Sequence, residues 1–262
     1  MISAVDELQT PQTRPRRAVL RNEVLLVLGV SLGASAVYSI LAIINKLTLV
    51  QKLSQQTTQL NQSVTPDRPW LDLTYQLVRI GFLVVPALLA VHLLNRDPEG
   101  AQVRLGLDLR HRWFDLGTGA ALAALIGLPG VGLYVAARAL GLNTNVAPAN
   151  LTAAWWTVPV LVLAAAANAV LEEVVVVGYL VTRLTDIGWR TSYAVLASAL
   201  LRGSYHLYQG FGAFVGNAIM GVVFALFFVR FKRVIPLIVA HTILDVVAFV
   251  GYTLLKDHLG FL

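Results

Sequence analysis

The chain has 262 residues, of which 57% are apolar and 13% charged, and a net charge of +6. With a mean hydropathy of +0.70 it has too little polar surface for a water-soluble domain of this size, and it belongs in a bilayer. Its Lys and Arg residues stand between apolar runs, which argues against a nucleic-acid partner, and the lack of cysteine excludes disulfides, thiolate metal sites and cysteine nucleophiles.

Residues 1–22 are polar, basic and proline-containing, which predicts a disordered cytoplasmic tail. Residues 23–262 are expected to form one all-α domain, a polytopic membrane bundle of seven or eight helices. A helix needs about 20 apolar residues to cross the roughly 30 Å hydrocarbon core. Seven stretches qualify: 24–45, 71–94, 114–137, 156–182, 191–208, 213–230 and 235–255. The first imitates a signal peptide, with Ala34-Ser35-Ala36 as a cleavage-like site, but its apolar character runs on to Ile44, so a retained helix is expected.

The segment 46–70, rich in Gln, Ser and Thr, reads as an outer loop, 95–112 as a charged inner loop, and the uncharged 141–154 as an outer turn. Gly117, Gly119, Gly127, Gly130 and Gly132 suit the third stretch to close helix packing, and Pro129 predicts a kink. Trp70, Trp113, Trp155, Trp156 and Trp189 all fall at stretch ends, where indoles sit at headgroup level. Inner segments hold thirteen Lys and Arg residues against five in outer ones, which places the N-terminus in the cytoplasm and a multi-pass chain in the cell membrane, in contact with its lipids. No internal repeat supports an inverted-repeat carrier.

Ionisable residues inside spans cost around 2.5–3.5 kcal/mol each and mark function by default. Here they are Arg79, Glu172, Glu173, Arg202, His206, His241 and Asp245, and their near-cancelling charges predict one compensated polar centre. Asn168 and Glu172, Arg202 and His206, and His241 and Asp245 are each four residues apart, so three helices each offer a polar face. Glu172 and Glu173 stand about 100° apart on a helix, which predicts different jobs, one facing the reaction and the other a structural cation.

One carboxylate and two imidazoles suit proton transfer to and from water and an acyl group. A carboxylate held among Val, Leu and Ala is a usable general base, and a His held by Asp245 can hydrogen-bond an oxyanion. The same groups, Glu172, His206, His241 and Asp245, could instead hold a divalent metal such as zinc, so the cofactor is either none or a metal. Residue counting leaves a depth mismatch, with His241 about 9 Å, Glu172 about 15 Å and His206 about 23 Å from the inner ends of their stretches. Tilted helices, or a 183–190 connection that dips below the surface, would restore the match. Tyr205, Tyr208 and Phe211 read as interfacial anchors.

The run Glu172-Glu173-Val-Val-Val-Val177-Gly178-Tyr179-Leu180, then Arg202-Gly-Ser-Tyr-His206, then His241-Thr-Ile-Leu-Asp245 resembles the three motifs of the CPBP family, the CAAX proteases and bacteriocin-processing enzymes, over a core at about 155–250. The resemblance implies that Glu172 and His206 activate water, that His241 and Asp245 stabilise the oxyanion, and that Glu173 supports them; Asn168 and Arg202 are read as supporting residues from their one-turn spacing to Glu172 and His206. Two positions depart from the family pattern. Val177 replaces the Arg of Glu-Glu-x-x-x-Arg, and Arg202 replaces the Phe of Phe-x-x-x-His. The expectation is that Arg202 supplies the missing cation opposite Glu173, with Arg79 a weaker substitute.

These features predict an intramembrane endopeptidase that cleaves a membrane-associated protein or lipidated peptide and opens toward the cytoplasm. The alternative is a catalytically altered membrane scaffold that binds a partner in a membrane-protein complex.

Overall fold

The computed structural model describes residues 13–255. Most of the predicted basic tail lies outside that range. Its last residues, 13–22, are helical, because the apolar run that follows continues their helix. That helix, α1 (Thr13–Gly29), meets α2 (Leu32–Thr48) at a 51° bend. The break falls at a Gly/Ser pair, a usual cause of kinks, where Ser31 Oγ donates to the Val27 carbonyl at 2.5 Å. A side chain at Gly33 would meet the Leu28 carbonyl oxygen at 2.7 Å, so the close approach at the bend requires glycine there.

The remaining elements are β1 (Thr57–Gln62), α3 (Pro69–Leu94), α4 (Gly100–Leu105), α5 (Arg112–Ala139), β2 (Asn145–Asn150), α6 (Thr157–Glu172), a π-helix (Glu173–Tyr179), α7 (Leu180–Ile187), α8 (Thr191–His206), α9 (Phe211–Phe231) and α10 (Ile235–Leu255). The fold is therefore mostly helical, and the all-α expectation is corrected by one parallel strand pair in which Thr57 opposes Asn145 and Gln62 opposes Asn150. The strands join the two segments expected to be plain outer loops. Their residues are polar and include Pro148, so no alternating apolar pattern marks them.

Among the described residues, five helices are long and apolar enough to cross a membrane, or six if the bent α1–α2 pair is one span, fewer than the seven expected. The chain is thus a multi-pass membrane protein by helix composition, and the difference is α8, which has only 16 residues.

Close packing on α5 comes from two of its five glycines: a side chain at Gly119 would meet Val239 at 2.6 Å and one at Gly127 would meet Leu244 at 2.9 Å. The helix continues through Pro129 without interruption. Trp156 is buried, unlike the other four tryptophans, and so is not a headgroup anchor.

At the end of the molecule opposite the strands, ion pairs hold the turns. Arg183 binds Glu23 at 2.8 Å, Asp97 at 2.5 Å and Asp186 at 3.2 Å, while Arg104 bridges Asp97 and Asp186. Arg233 clasps Asp108 at 3.0 Å and Asp115 at 2.8 Å. That pairing, led by the Asp115 and Asp108 hydrogen bonds, raises the Arg233 pKa, and the Arg233 hydrogen bond holds the Asp108 carboxyl below its ordinary value.

Candidate active site

The polar residues singled out from the sequence meet in one centre built by α6, the π-helix, α8 and α10. Glu172 ends α6, and Glu173 opens the π-helix, in which every residue is buried. The wider π turn is supported from α8, where buried Ser198 Oγ donates to the Val176 carbonyl at 2.7 Å. Ser198, Arg202 and Tyr205 recur at helical spacing, so one face of α8 lines this segment.

Arg202 is fully buried and lies over the Phe224 ring at 5.3 Å. Its Nη2 pairs with Glu173 Oε1 and stands 3.6 Å from Glu172 Oε2. The cation absent at Val177 is thus present on the neighbouring helix. Both glutamates approach the same guanidinium, Glu173 as its close partner and Glu172 at longer range, where its Oε2 also faces Tyr205 and His206. Arg79 makes no ion pair among the described residues and is exposed on α3, so it does not serve as the substitute.

Glu172 is less isolated than an apolar setting would make it. Its Oε2 accepts from the Tyr205 hydroxyl at 2.7 Å, and its Oε1 from Asn168 Nδ2 at 3.1 Å. The same Asn168 amide donates to Asp245 Oδ2 at 3.1 Å. His206 Nε2 stands 3.7 Å from Glu172 Oε2 and is buried with no hydrogen-bond partner, while its Nδ1 lies 3.3 Å from Gln209 Nε2. His241 has a carboxylate at each ring nitrogen: Glu173 Oε1 at 2.7 Å from Nδ1 and Asp245 Oδ2 at 3.6 Å from Nε2. Tyr205, read from the sequence as an anchor, is the residue that reading missed. Its position three residues after Arg202 was the available signal.

The depth mismatch resolves in two ways. The helix of Glu172 runs on to Ile187, so Glu172 and His206 each lie fifteen residues, roughly 20 Å, from the inner ends of their helices. The α9–α10 turn sits deeper than its sequence suggests, because a side chain at Gly178 would meet Val234 at 2.9 Å and the Val234 amide donates to Leu105 O at 2.9 Å. His241, about two turns above Val234, therefore reaches Glu173.

The centre is sealed on the π-helix side. It opens toward the strand pair, where the His206 and Asp245 side chains are 17% and 19% exposed.

One group among the described residues has metal-ligand spacing, Glu172, Glu173 and His241, with donor atoms within 4.8 Å of one another. His206 and Asp245, expected as ligands, fall outside it. The group does not suit a dication: Arg202 already supplies a fixed positive charge to both glutamates, and an ion among the same oxygens would stand against a fully buried guanidinium.

No curated protein and no solved structure matches the chain. Residues 154–247, which hold the π-helix and every residue of the polar centre, match the family model described as type II CAAX prenyl endopeptidase Rce1-like, and the chain therefore carries a domain of that family.

Proposed function

We propose that the chain is an intramembrane endopeptidase that hydrolyses a peptide bond of a membrane-associated substrate, with Glu172 as general base. The observation that carries this reading is the gap between Glu172 Oε2 and His206 Nε2, 3.7 Å across, with the imidazole nitrogen buried and unpartnered. A water bridging the two atoms would satisfy both and be held for attack.

Tyr205 and Asn168 fix the two oxygens of Glu172, so its orientation is set before substrate arrives. As the tetrahedral intermediate forms, negative charge develops on the former carbonyl oxygen, and His241, oriented by Glu173 and Asp245, is the donor on that side. The proton taken by Glu172 passes to the leaving amine. The Glu173–Arg202 pair holds His241 and offsets the charge of the neighbouring acids. With Arg202 in the place of the missing arginine, the motif departures no longer favour a scaffold.

The arginine-rich turns lie at the end away from the mouth. If they face the cytoplasm, as the positive-inside rule suggests, the mouth faces outward, against the expected cytoplasmic opening.

Wild type and Glu172→Gln, purified in detergent, are to be compared on a quenched library of lipidated peptides. Cleavage by the wild type alone, unaffected by a strong chelator, supports the reading. Equal cleavage by both proteins refutes the role of Glu172, and chelator-sensitive cleavage refutes the metal-free assignment.

A further inference from the structure

A second feature lies on the outside of α8, away from the polar centre. Trp189, Tyr193, Leu196, Ala197 and Leu200 line an open, almost wholly apolar groove of about 470 Å³. Tyr193, Leu196, Ala197 and Leu200 share one helical face, and Leu200 lies nine residues from the start of α8. The groove therefore descends about 14 Å, close to the depth of one leaflet, which is half of the roughly 30 Å hydrocarbon core.

Its shallow end is basic. The Arg17 guanidinium lies against Gly188, with Cζ 3.8 Å from where a side chain there would begin. Arg190 is exposed on the other side of Trp189, and Arg21 is exposed one turn along α1 from Arg17. The nearest acids are already engaged, Glu23 by Arg183 and Asp186 by Arg183 and Arg104. Arg17, Arg21 and Arg190 have no ion-pair partner among the described residues.

We propose that this groove is a binding site for an anionic glycerophospholipid of the surrounding membrane. One acyl chain lies along Tyr193, Leu196 and Leu200, and the phosphate is held between Arg17 and Arg190. Chain length and charge are matched by the same site: the groove takes the tail to mid-bilayer while the arginines meet the headgroup where it leaves the hydrocarbon. Trp189 sits at the junction, where an indole has an apolar body and a polar edge.

The test uses the full chain in phosphatidylcholine nanodiscs carrying increasing fractions of phosphatidylglycerol with brominated acyl chains, or of brominated phosphatidylcholine. Quenching of Trp189 fluorescence by the bromine is isolated by subtracting the Trp189→Phe protein. Phosphatidylglycerol should half-saturate the Trp189 signal at about twenty-five-fold lower mole fraction, the product of two arginines each contributing about fivefold. The Arg17→Gln/Arg190→Gln protein should lose that preference, and an Arg110→Gln/Arg112→Gln protein should keep it.

Equal half-saturation by the two lipids in wild type would overturn the site, whatever the variants do. Loss of the preference in the Arg110/Arg112 protein would reduce it to a general surface-charge effect. Displacement of the brominated lipid by inorganic phosphate or glycerol 1-phosphate would show that the charge site acts without the groove, and would overturn the lipid assignment.

Discussion

The Arg202–Glu173 pair is the strongest claim that the geometry makes about this sequence, and a double replacement tests it. Arg202→Phe restores the family's residue on α8 but leaves Glu173, fully buried, with His241 as its only partner among the described residues. Breaking a buried pair by removing one member costs about 3–5 kcal/mol. At roughly 2–4 °C per kcal/mol for a chain of this size, the half-unfolding temperature should fall by about 10 °C. Val177→Arg alone buries a second cation beside Arg202 and should also destabilise. Together the two changes return the arginine to one turn after Glu173, and much of the loss should be recovered, giving a favourable coupling of about 2 kcal/mol or more. The assay is intrinsic fluorescence during heating of the four proteins in one detergent. Near wild-type stability of Arg202→Phe, or a double variant no better than the sum of the singles, would refute the reasoning.

Tyr205→Phe removes one donor to Glu172 while keeping the ring, and should lower peptide cleavage about tenfold to a hundredfold with little change in folding; an unaffected rate would exclude it from the site. Arg183→Met leaves Glu23, Asp97 and Asp186 without their shared cation and should cost about 3–5 kcal/mol, seen as a lower unfolding temperature, whereas a change under about 0.5 kcal/mol would show that Arg104 alone suffices. The Asp108 carboxyl is held below its ordinary value by Arg233, so the stability it contributes is present above about pH 4 and is lost as pH falls below that. The stability gap between wild type and Arg233→Gln should therefore be constant above that pH and close beneath it, and a gap that ignores pH would contradict the pairing.

The carriers of the centre were legible in the sequence because charge inside an apolar run is hard to explain otherwise. His241 and Asp245 at one-turn spacing, Asn168 below Glu172, and Arg202 opposite Glu173 all stand as their spacing suggested. The convergence of the two adjacent glutamates was not legible. The π-helix opens at Glu173, and its Val176 carbonyl accepts from Ser198 twenty-two residues away, a tertiary contact that no local propensity records. The Val-rich run 174–177 reads as ordinary helix interior. The depths of His241 and Glu172 were misjudged for a related reason: hydropathy marks where an apolar run ends, but α7 continues past that point as a helix, with Arg183 neutralised by Glu23 of α1, Asp97 of the α3–α4 turn and Asp186 of α7 itself. The strand pair stayed hidden because its register is set by long-range pairing across α3 and α5.

The shortness of α8 also bears on where a hydrolase inside a membrane finds its water. Sixteen residues rise about 24 Å, less than the roughly 30 Å of hydrocarbon around them. A bilayer meets such a helix by thinning or by letting polar groups sit beneath its surface. His206 is the last residue of α8, and beyond it lie Gln209, Tyr208, Lys46, Thr58 and Thr144, joined by hydrogen bonds up to the strand pair. A short helix thus brings the membrane surface nearer to His206 at its end, and the water of the proposed reaction has a shorter path to travel than a full-length span would impose.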